Sequence, residues 1–382
     1  QKESIYSLEI DNADWIEVDD TNDIRIAEYK FAKDGKKEIL ANSWGGYWNY
    51  DILDFCFIRN MYFPTSAMMA DIKNNMHELV WNYGSSNSIV TKKLSYYLLK
   101  DERKLCALNG AAQIYPFLKR AFGTSKVLMP SPTFGEYDRI FTTKTYYSDA
   151  VGFDKLSLDD RIVNNEVIVF VNPNNPTGSL IPSEDILAYI RKYPEKLFIV
   201  DESFIDFSED VSLSDLVESH SHSNFIIIKS MSKSHGFPGV RLGYVFSNDH
   251  ALINEIRSEI PIWNFNSFAE YFLEIMLKYR NEFLVSLERT KRDRAEFSRL
   301  LSDQDWVEEV YNSDADFILI RVHSEISELV DILLNKDNIY IRELSNKFTD
   351  NQCYFRVAVR TSSDNKHLIE RINKRLLQKS DI

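Results

Sequence analysis

The chain has 382 residues, with 45 basic and 58 acidic side chains and a formal net charge of −13. This length can bury a sizeable core, while the excess of acidic groups argues against a nucleic-acid backbone as the main partner. Three widely spaced cysteines without a Cys-x-x-Cys pair argue against a disulfide framework or a zinc site, and no run approaches the ~20 apolar residues of a membrane helix.

The opening residues Gln1, Lys2 and Glu3 are polar and show no signal peptide, so we expect a reducing, cytoplasmic location. Within residues 1–33 the pattern predicts a strand at 15–18, an acidic turn and a helix start. One interpretation is an acidic N-terminal arm with a capped helix. The other is a resemblance to the closing segment of nucleotidyltransferases that activate sugars or phosphocholine, in which Glu17 and Asp19 would help to hold a metal ion. That resemblance implies that the chain is the C-terminal part of a fusion protein.

Residues 34–64 form a second segment that is rich in aromatic side chains, which is typical either of a core or of an arm that lines a site. From residue 65 to about 255, apolar strand-like runs alternate with amphipathic helices, including helices predicted at 111–122 and 183–190. This alternation predicts an α/β fold with a mostly parallel central sheet covered by helices on both faces.

Residues 256–382 have a different pattern. A long helical stretch from about 268 to 301 leads into strand-like runs at 317–322, 338–342 and 354–359. We therefore expect a smaller α/β C-terminal domain after the large domain at 65–255.

Three polar segments directly follow apolar runs of the large domain. Residues 172–178 (Asn-Pro-Asn-Asn-Pro-Thr-Gly) follow a run at 167–171, and Asp201 follows a run at 197–200. The third segment contains Lys233 among hydroxyl residues, with Arg241 eight positions later. An amine that forms a Schiff base, together with hydroxyls and a guanidinium that bind a phosphate dianion, suits a carbonyl cofactor that carries a phosphate.

In this order the three segments resemble the pyridoxal-phosphate-dependent aminotransferases of fold type I, class I/II. The resemblance runs from about residue 38 to the C-terminus and is strongest to the branch of histidinol-phosphate aminotransferase and threonine-phosphate decarboxylase. It implies pyridoxal 5'-phosphate as cofactor, a homodimer as the active unit, and an arm at 34–64 that lines the mouth of the site.

The resemblance also implies roles for individual residues. Lys233 would form the Schiff base, and Asp201 would keep the pyridine nitrogen of the cofactor protonated. Asn175 would bond the phenolic oxygen, and Phe204 stands where most aminotransferases carry a tyrosine. Phe134 would stack on the cofactor ring, with a plain core residue as the alternative. The residues implied for the phosphate are Gly110, Ala111, Ala112, Ser230, Ser232, Arg241 and, from the neighbouring subunit, Tyr83.

For the substrate, Arg356 stands at the position of the carboxylate-binding arginine of the family. Strand periodicity places Arg360 on the same face, and Arg342 on the preceding strand either joins them or is a solvated surface residue. Two or three converging arginines predict a small amino substrate with two anionic groups.

The sequence therefore predicts an aminotransferase that moves an amino group to a keto or aldehyde acceptor. The best single substrate is 2-aminoethylphosphonate, although it has only one anionic group. The alternative is a decarboxylase of a phosphorylated amino acid, which Phe204 and Arg360 favour. A non-catalytic, cofactor-sensing domain is a further alternative, but the acidic N-terminus is unsuited to the DNA-binding element of such regulators. His220 and His222 lack further ligands and indicate a polar loop, so no metal site is predicted.

Overall fold

Two main sheets form the centre of the protein in the computed structural model, which describes residues 15–32, 35–149, 155–218 and 220–380. The strands are β1 Leu53–Asp54, β2 Leu105–Leu108, β3 Lys126–Pro130, β4 Thr143–Tyr147, β5 Val167–Val171, β6 Leu197–Asp201, β7 Phe225–Ser230, β8 Gly243–Phe246, β9 Val307–Val310, β10 Phe317–Val322, β11 Ile339–Tyr340, β12 Arg342–Glu343 and β13 Cys353–Ala358.

The larger sheet has the strand order β2-β8-β7-β6-β5-β3-β4. Strand β8 is antiparallel to both of its neighbours, while the other adjacent pairs are parallel. The central strands β5, β6 and β7 are almost continuous runs of Val, Ile and Phe, and nearly all of their residues are buried, as expected for strands covered on both faces. The predicted mostly parallel sheet is therefore confirmed.

Helices cover both faces of this sheet because the side chains of each strand alternate between two apolar layers. The helices are α1 Thr21–Phe31, α2 Lys36–Ser43, α3 Ser66–Asn74, α4 Met76–Trp81, α5 Asn87–Leu98, α6 Tyr115–Phe122, α7 Gly135–Ile140, α8 Lys155–Val163, α9 Ser183–Lys192, α10 Leu213–Val217, α11 Met231–Ser234, α12 His250–Ser258, α13 Ser267–Met276, α14 Arg280–Ser302, α15 Leu329–Asp337 and α16 Ser362–Ser380. Helices α5, α9, α10 and α13 pack on one face, and α6, α7 and α12 pack on the other. None of the helices in the described part of the chain is both long and apolar enough to cross a membrane.

The C-terminal part contains a four-stranded antiparallel sheet of order β12-β13-β10-β9, packed against α14, α15 and α16. The strand predicted at 338–342 is broken into two short strands. The first, β11, pairs in parallel with β1 of the arm, and the second, β12, pairs with β13. The strand is broken because its first half pairs with β1 and its second half pairs with β13, which belong to different sheets.

The N-terminal prediction is partly wrong. The strand predicted at 15–18 is absent: residues 15–19 have no regular secondary structure and pair with no strand among the described residues. The capped helix is confirmed: the Asp20 carboxylate accepts hydrogen bonds from the backbone of Asn22 and Asp23, and the Asp23 carboxylate accepts one from the Asp20 N–H. This reciprocal arrangement is a capping box.

Candidate active site

Polar segments meet at one edge of the large sheet. Strands β5, β6 and β7 run parallel, with Val171 opposite Asp201 and Asp201 opposite Ile228, so the residues that follow these strands lie side by side. The segments that follow β2 and β3 reach the same edge. Ligand sites of open α/β sheets are built at this carboxyl edge.

The antiparallel strand β8 adds Arg241 to this edge. Because β8 runs in the opposite direction, its first residue, Gly243, lies opposite Leu108 and Ser230 at the ends of β2 and β7. The Arg241 guanidinium lies directly over Gly110, where a Cβ atom would collide with it. Gly110 also has φ +76°, so both the backbone conformation and the space favour glycine here.

Lys233 is held in place by the arm. The backbone N–H of Asn60 donates to the Lys233 carbonyl at 2.9 Å, and the Asn60 side chain donates to the Ser234 carbonyl at 2.8 Å. After α11 the chain turns at Gly236, where φ is +66° and the Phe63 carbonyl leaves no room for a side chain. Burial lowers the pKa of the Lys233 amine; the charges of Asp316 and Asp201 oppose this shift, and those of Arg356 and Arg241 add to it. Such an amine is a better nucleophile and base near neutral pH.

Asp201 lies at the end of β6 and is buried. Its carboxylate accepts hydrogen bonds from the Tyr137 hydroxyl at 2.8 Å, from the Ser203 hydroxyl at 2.6 Å and from the Ser203 N–H at 3.0 Å. Burial raises the pKa of Asp201, while these hydrogen bonds and the charge of Lys233 lower it. A buried carboxylate of this kind would strongly favour a cationic group beside it.

A cavity of about 180 Å³ joins the predicted cofactor residues other than Gly110 and Tyr83. Phe204 lies 6.0 Å from the Lys233 amine, measured to the ring centroid, and packs edge-on against Phe317. The cavity is lined by Ala111, Ala112, Tyr115, Phe134, Val171, Asn175, Asp201, Ser203, Phe204, Ser230, Ser232, Lys233, Pro238 and Arg241.

These residues fit a phosphate-bearing pyridine cofactor. The Ser232 hydroxyl is buried and has no hydrogen-bond partner among the described residues, although buried hydroxyls are normally satisfied. It lines the cavity together with Arg241, and a phosphate oxygen between them would satisfy the hydroxyl. The helix predicted to begin at Ala111 begins instead as a 3-10 turn, Ala111–Ile114, which leads into α6.

The structure brings Arg356 next to this cavity but places two other predicted residues elsewhere. The Arg356 guanidinium donates to the Asn175 side-chain oxygen at 2.7 Å and to the Cys56 carbonyl at 2.6 Å. Arg360 does not line the cavity, and its guanidinium binds the Asp54 carbonyl and the Asp364 carboxylate. Tyr83 does not line the cavity of its own chain; it is 84% exposed and stacks on Trp263.

Sequence reasoning missed the buried carboxylate of Asp316. It precedes β10 on the smaller sheet, is 0% exposed, and neither of its oxygens has a hydrogen-bond partner among the described residues. Burial raises its pKa to about 7, against the charges of Lys233, Arg356 and Arg294. Tyr137, the partner of Asp201, was missed as well, because nothing distinguishes it from an ordinary helix residue in the sequence.

Replacing Asp316 by Asn should flatten the pH dependence of stability of the cofactor-free chain. In the folded chain this carboxyl keeps its proton up to about pH 7, whereas the unfolded chain releases it near pH ~4. The folded state therefore binds more protons between these values, and its stability falls as the pH rises through this window. Urea unfolding at pH 5 and pH 8 should show wild type losing stability relative to Asp316→Asn at the higher pH, and parallel changes in both proteins would contradict this account.

Comparisons with known proteins agree with this geometry. The model of the family described as "Aminotransferase class I and II" matches residues 60–372. A CMP-5'-(3-aminopropyl)phosphonate synthase of Streptomyces rubellomurinus is 29% identical over 94% of this chain, which spans 59% of that relative. An L-serine phosphate decarboxylase of Campylobacter jejuni is 28% identical, covering 84% of this chain and 87% of the relative. The solved histidinol-phosphate aminotransferase from Clostridium acetobutylicum superimposes with a TM-score of 0.76 at 26% identity, over 85% of this chain and 98% of the other.

Proposed function

This chain belongs to the class I and II aminotransferases, a pyridoxal-phosphate-dependent family of fold type I. From this premise we propose that it acts on a small amino acid that carries a second anionic group. The observation that carries the proposal is the cavity that contains the amine of Lys233, the carboxylate of Asp201 and, at its wall, the hydrogen bond between Asn175 and Arg356. A planar guanidinium suits the carboxylate of an amino acid.

Each predicted residue then has a task. When bound, pyridoxal phosphate supplies an electron sink for the bond that breaks at the substrate Cα atom. Lys233 would hold the cofactor covalently and afterwards move the proton at Cα, for which its lowered pKa is suitable. Asp201, held by Tyr137 and Ser203, would keep the ring nitrogen charged. The phosphate would be held by Gly110, Ala111, Ala112, Ser230, Ser232 and Arg241.

We propose decarboxylation as the reaction. In this reaction the bond from Cα to the carboxylate breaks, carbon dioxide leaves, and Lys233 delivers a proton to Cα. Phe204 supplies no hydroxyl beside Asn175, as expected from the resemblance to the decarboxylase branch. Two of the relatives named above add support. One is an L-serine phosphate decarboxylase, and the product in the name of the other, CMP-5'-(3-aminopropyl)phosphonate, has no carboxylate beside its amine.

Transamination, the reaction predicted from the sequence, is the second candidate, and the likeness to histidinol-phosphate aminotransferase favours it. Here Lys233 would take the proton from Cα and the carboxylate would remain on the substrate. 2-Aminoethylphosphonate suits this reaction less well, because it has no carboxylate for Arg356 to bind.

The test is a screen of amino acids whose side chains carry phosphate, phosphonate, carboxylate or no charge, with carbon dioxide and keto product measured in parallel. We expect carbon dioxide in stoichiometric amounts with an amine, and only from substrates with a second anion. A keto product without carbon dioxide would replace decarboxylation by transamination. Turnover of uncharged amino acids alone would contradict the proposed substrate class.

We also propose that the active unit is a homodimer in which Tyr83 of one subunit reaches the phosphate site of the other. An exposed aromatic pair supports this: Tyr83 and Trp263 stack with ring centroids 5.6 Å apart and are 84% and 70% exposed. Large aromatic surfaces of this kind are typical of interfaces.

We further propose that residues 1–33 belong to a fused nucleotidyltransferase, which the similarity to a longer relative named for a CMP-aminophosphonate supports.

A further inference from the structure

Three positive side chains lie together beside the cofactor cavity. In the antiparallel pair of β12 and β13, Arg342 is directly opposite Arg356, so the two side chains share one face with Cα atoms ~4.5–5.5 Å apart. The chain continues from β12 into a 3-10 turn, Ser345–Lys347, which brings Lys347 to the same region. Arg342 and Lys347 also line one cavity of about 350 Å³ next to α2.

Lys347 connects this cavity to the cofactor site. Its amine donates a hydrogen bond of 2.6 Å to the carbonyl of Thr133, the residue before Phe134, which lines the cofactor cavity. Lys347 is half-buried, and burial lowers the pKa of its amine, with further lowering by the charges of Arg356 and Arg342. The long side chain of Lys347 therefore extends from the small domain to the wall of the cofactor cavity.

These cations form no ion pair with a described residue, although the charges of Asp138 and Asp316 act on Lys347 and Arg356 from a greater distance. The nearby acids Glu343 and Asp364 are bound by Lys37 and Arg360. Among the described residues no carboxylate oxygen lies within ion-pair distance of Arg342, Lys347 or Arg356, and the buried Arg356 Nε has no hydrogen-bond partner. In a chain with a net charge of −13, three mutually repelling cations whose contacts are with neutral groups favour an anionic ligand.

We propose that Lys347, together with Arg342, binds the second anionic group of the substrate, a phosphate or phosphonate dianion, while Arg356 binds the carboxylate. This inference rests on the proposed function and names the side-chain class of its substrate. One guanidinium is sufficient for one carboxylate, so the two remaining positive groups require a further anion. A compact dianion suits an ammonium and a guanidinium that approach it from two sides.

The inference is tested by titrating the cofactor-loaded protein with O-phospho-L-serine and with L-serine, and following the absorbance of the bound cofactor. Lys347→Met should weaken the binding of O-phospho-L-serine by about tenfold to a hundredfold, as expected for loss of a charge-assisted hydrogen bond, and that of L-serine by less than about threefold. Lys347→Arg keeps the charge and should retain most of the affinity. Lys374→Met removes an exposed lysine of the same domain and should change neither titration.

The outcomes separate this inference from the proposed function. Equal weakening for both amino acids, or no preference of wild type for the phosphorylated one, would overturn the role of Lys347 while leaving turnover intact. A loaded protein whose spectrum responds to neither amino acid would overturn the proposed function and the inference together. If Lys347→Met does not fold, Arg342→Met replaces it, because the same selective loss is expected from the other side of the dianion.

Discussion

Replacing Lys233 by Met should lower kcat/KM on the order of 10³- to 10⁴-fold, with the protein still folded and able to bind pyridoxal phosphate non-covalently. The thioether of methionine approximately fills the space of the lysine stem but can neither form the covalent link nor move a proton at Cα. The backbone around position 233 should be unaffected, because Asn60 binds the carbonyl oxygens of residues 233 and 234 and not the side chain.

The measurement is steady-state turnover on the best substrate of the screen, with thermal unfolding as a check on the fold. Lys126→Met, which removes an exposed lysine at the start of β3, is the matched control and should keep the activity of wild type. If the Lys233 variant retained more than about a tenth of the activity, another residue would have to provide the amine.

Replacing Asp201 by Asn should lower kcat by about 10²- to 10⁴-fold, comparable to the loss of a catalytic group, and leave KM nearly unchanged. Asparagine has nearly the same shape as aspartate. Its side-chain oxygen can keep the hydrogen bonds from Ser203, and its NH2 group can donate to the Tyr137 hydroxyl in place of the bond now accepted from it, so the geometry of the site is kept. The negative charge is lost, and with it the stabilisation of a protonated ring nitrogen in a buried site.

Tyr137→Phe is the informative control for Asp201. It removes one hydrogen bond of 2.8 Å to the carboxylate but leaves its charge, so we expect a loss of about tenfold. The absorbance spectrum of the bound cofactor should change in the Asp201 variant and much less in the Tyr137 variant. Equal effects of both substitutions would indicate that packing and not charge is the contribution of Asp201.

The sequence predicted the part of the site in the large domain because the apolar strand runs there are followed directly by the reactive polar residues. Strands β5, β6 and β7 are buried on both faces and read as continuous apolar runs. The polar residues that follow them, including Asn175, Asp201 and Lys233, must then meet at one edge, and the structure brings them together. The fold and the placement of these residues needed only local patterns and the rule for parallel sheets.

The small-domain part was less predictable because tertiary packing decides it. Strand periodicity placed Arg360 with Arg356, but β13 ends at Ala358, and beyond that point the side chain of Arg360 binds Asp54 of the arm. Lys347 and Asp316 belong to no sequence pattern that distinguishes them from surface or cap residues. They lie near the cofactor cavity because tertiary contacts, such as that of Phe317 in β10 with Phe204, bring this part of the chain to the site.

The most direct test of the account is borohydride reduction of the protein loaded with pyridoxal phosphate, followed by mass analysis of its peptides. We expect the cofactor to be fixed to the amine of Lys233 and not to that of Lys229, which is buried four residues earlier in an ion pair with Asp206. Cofactor attached to another lysine, or none attached at position 233 after loading and reduction, would contradict the site on which every proposal above depends.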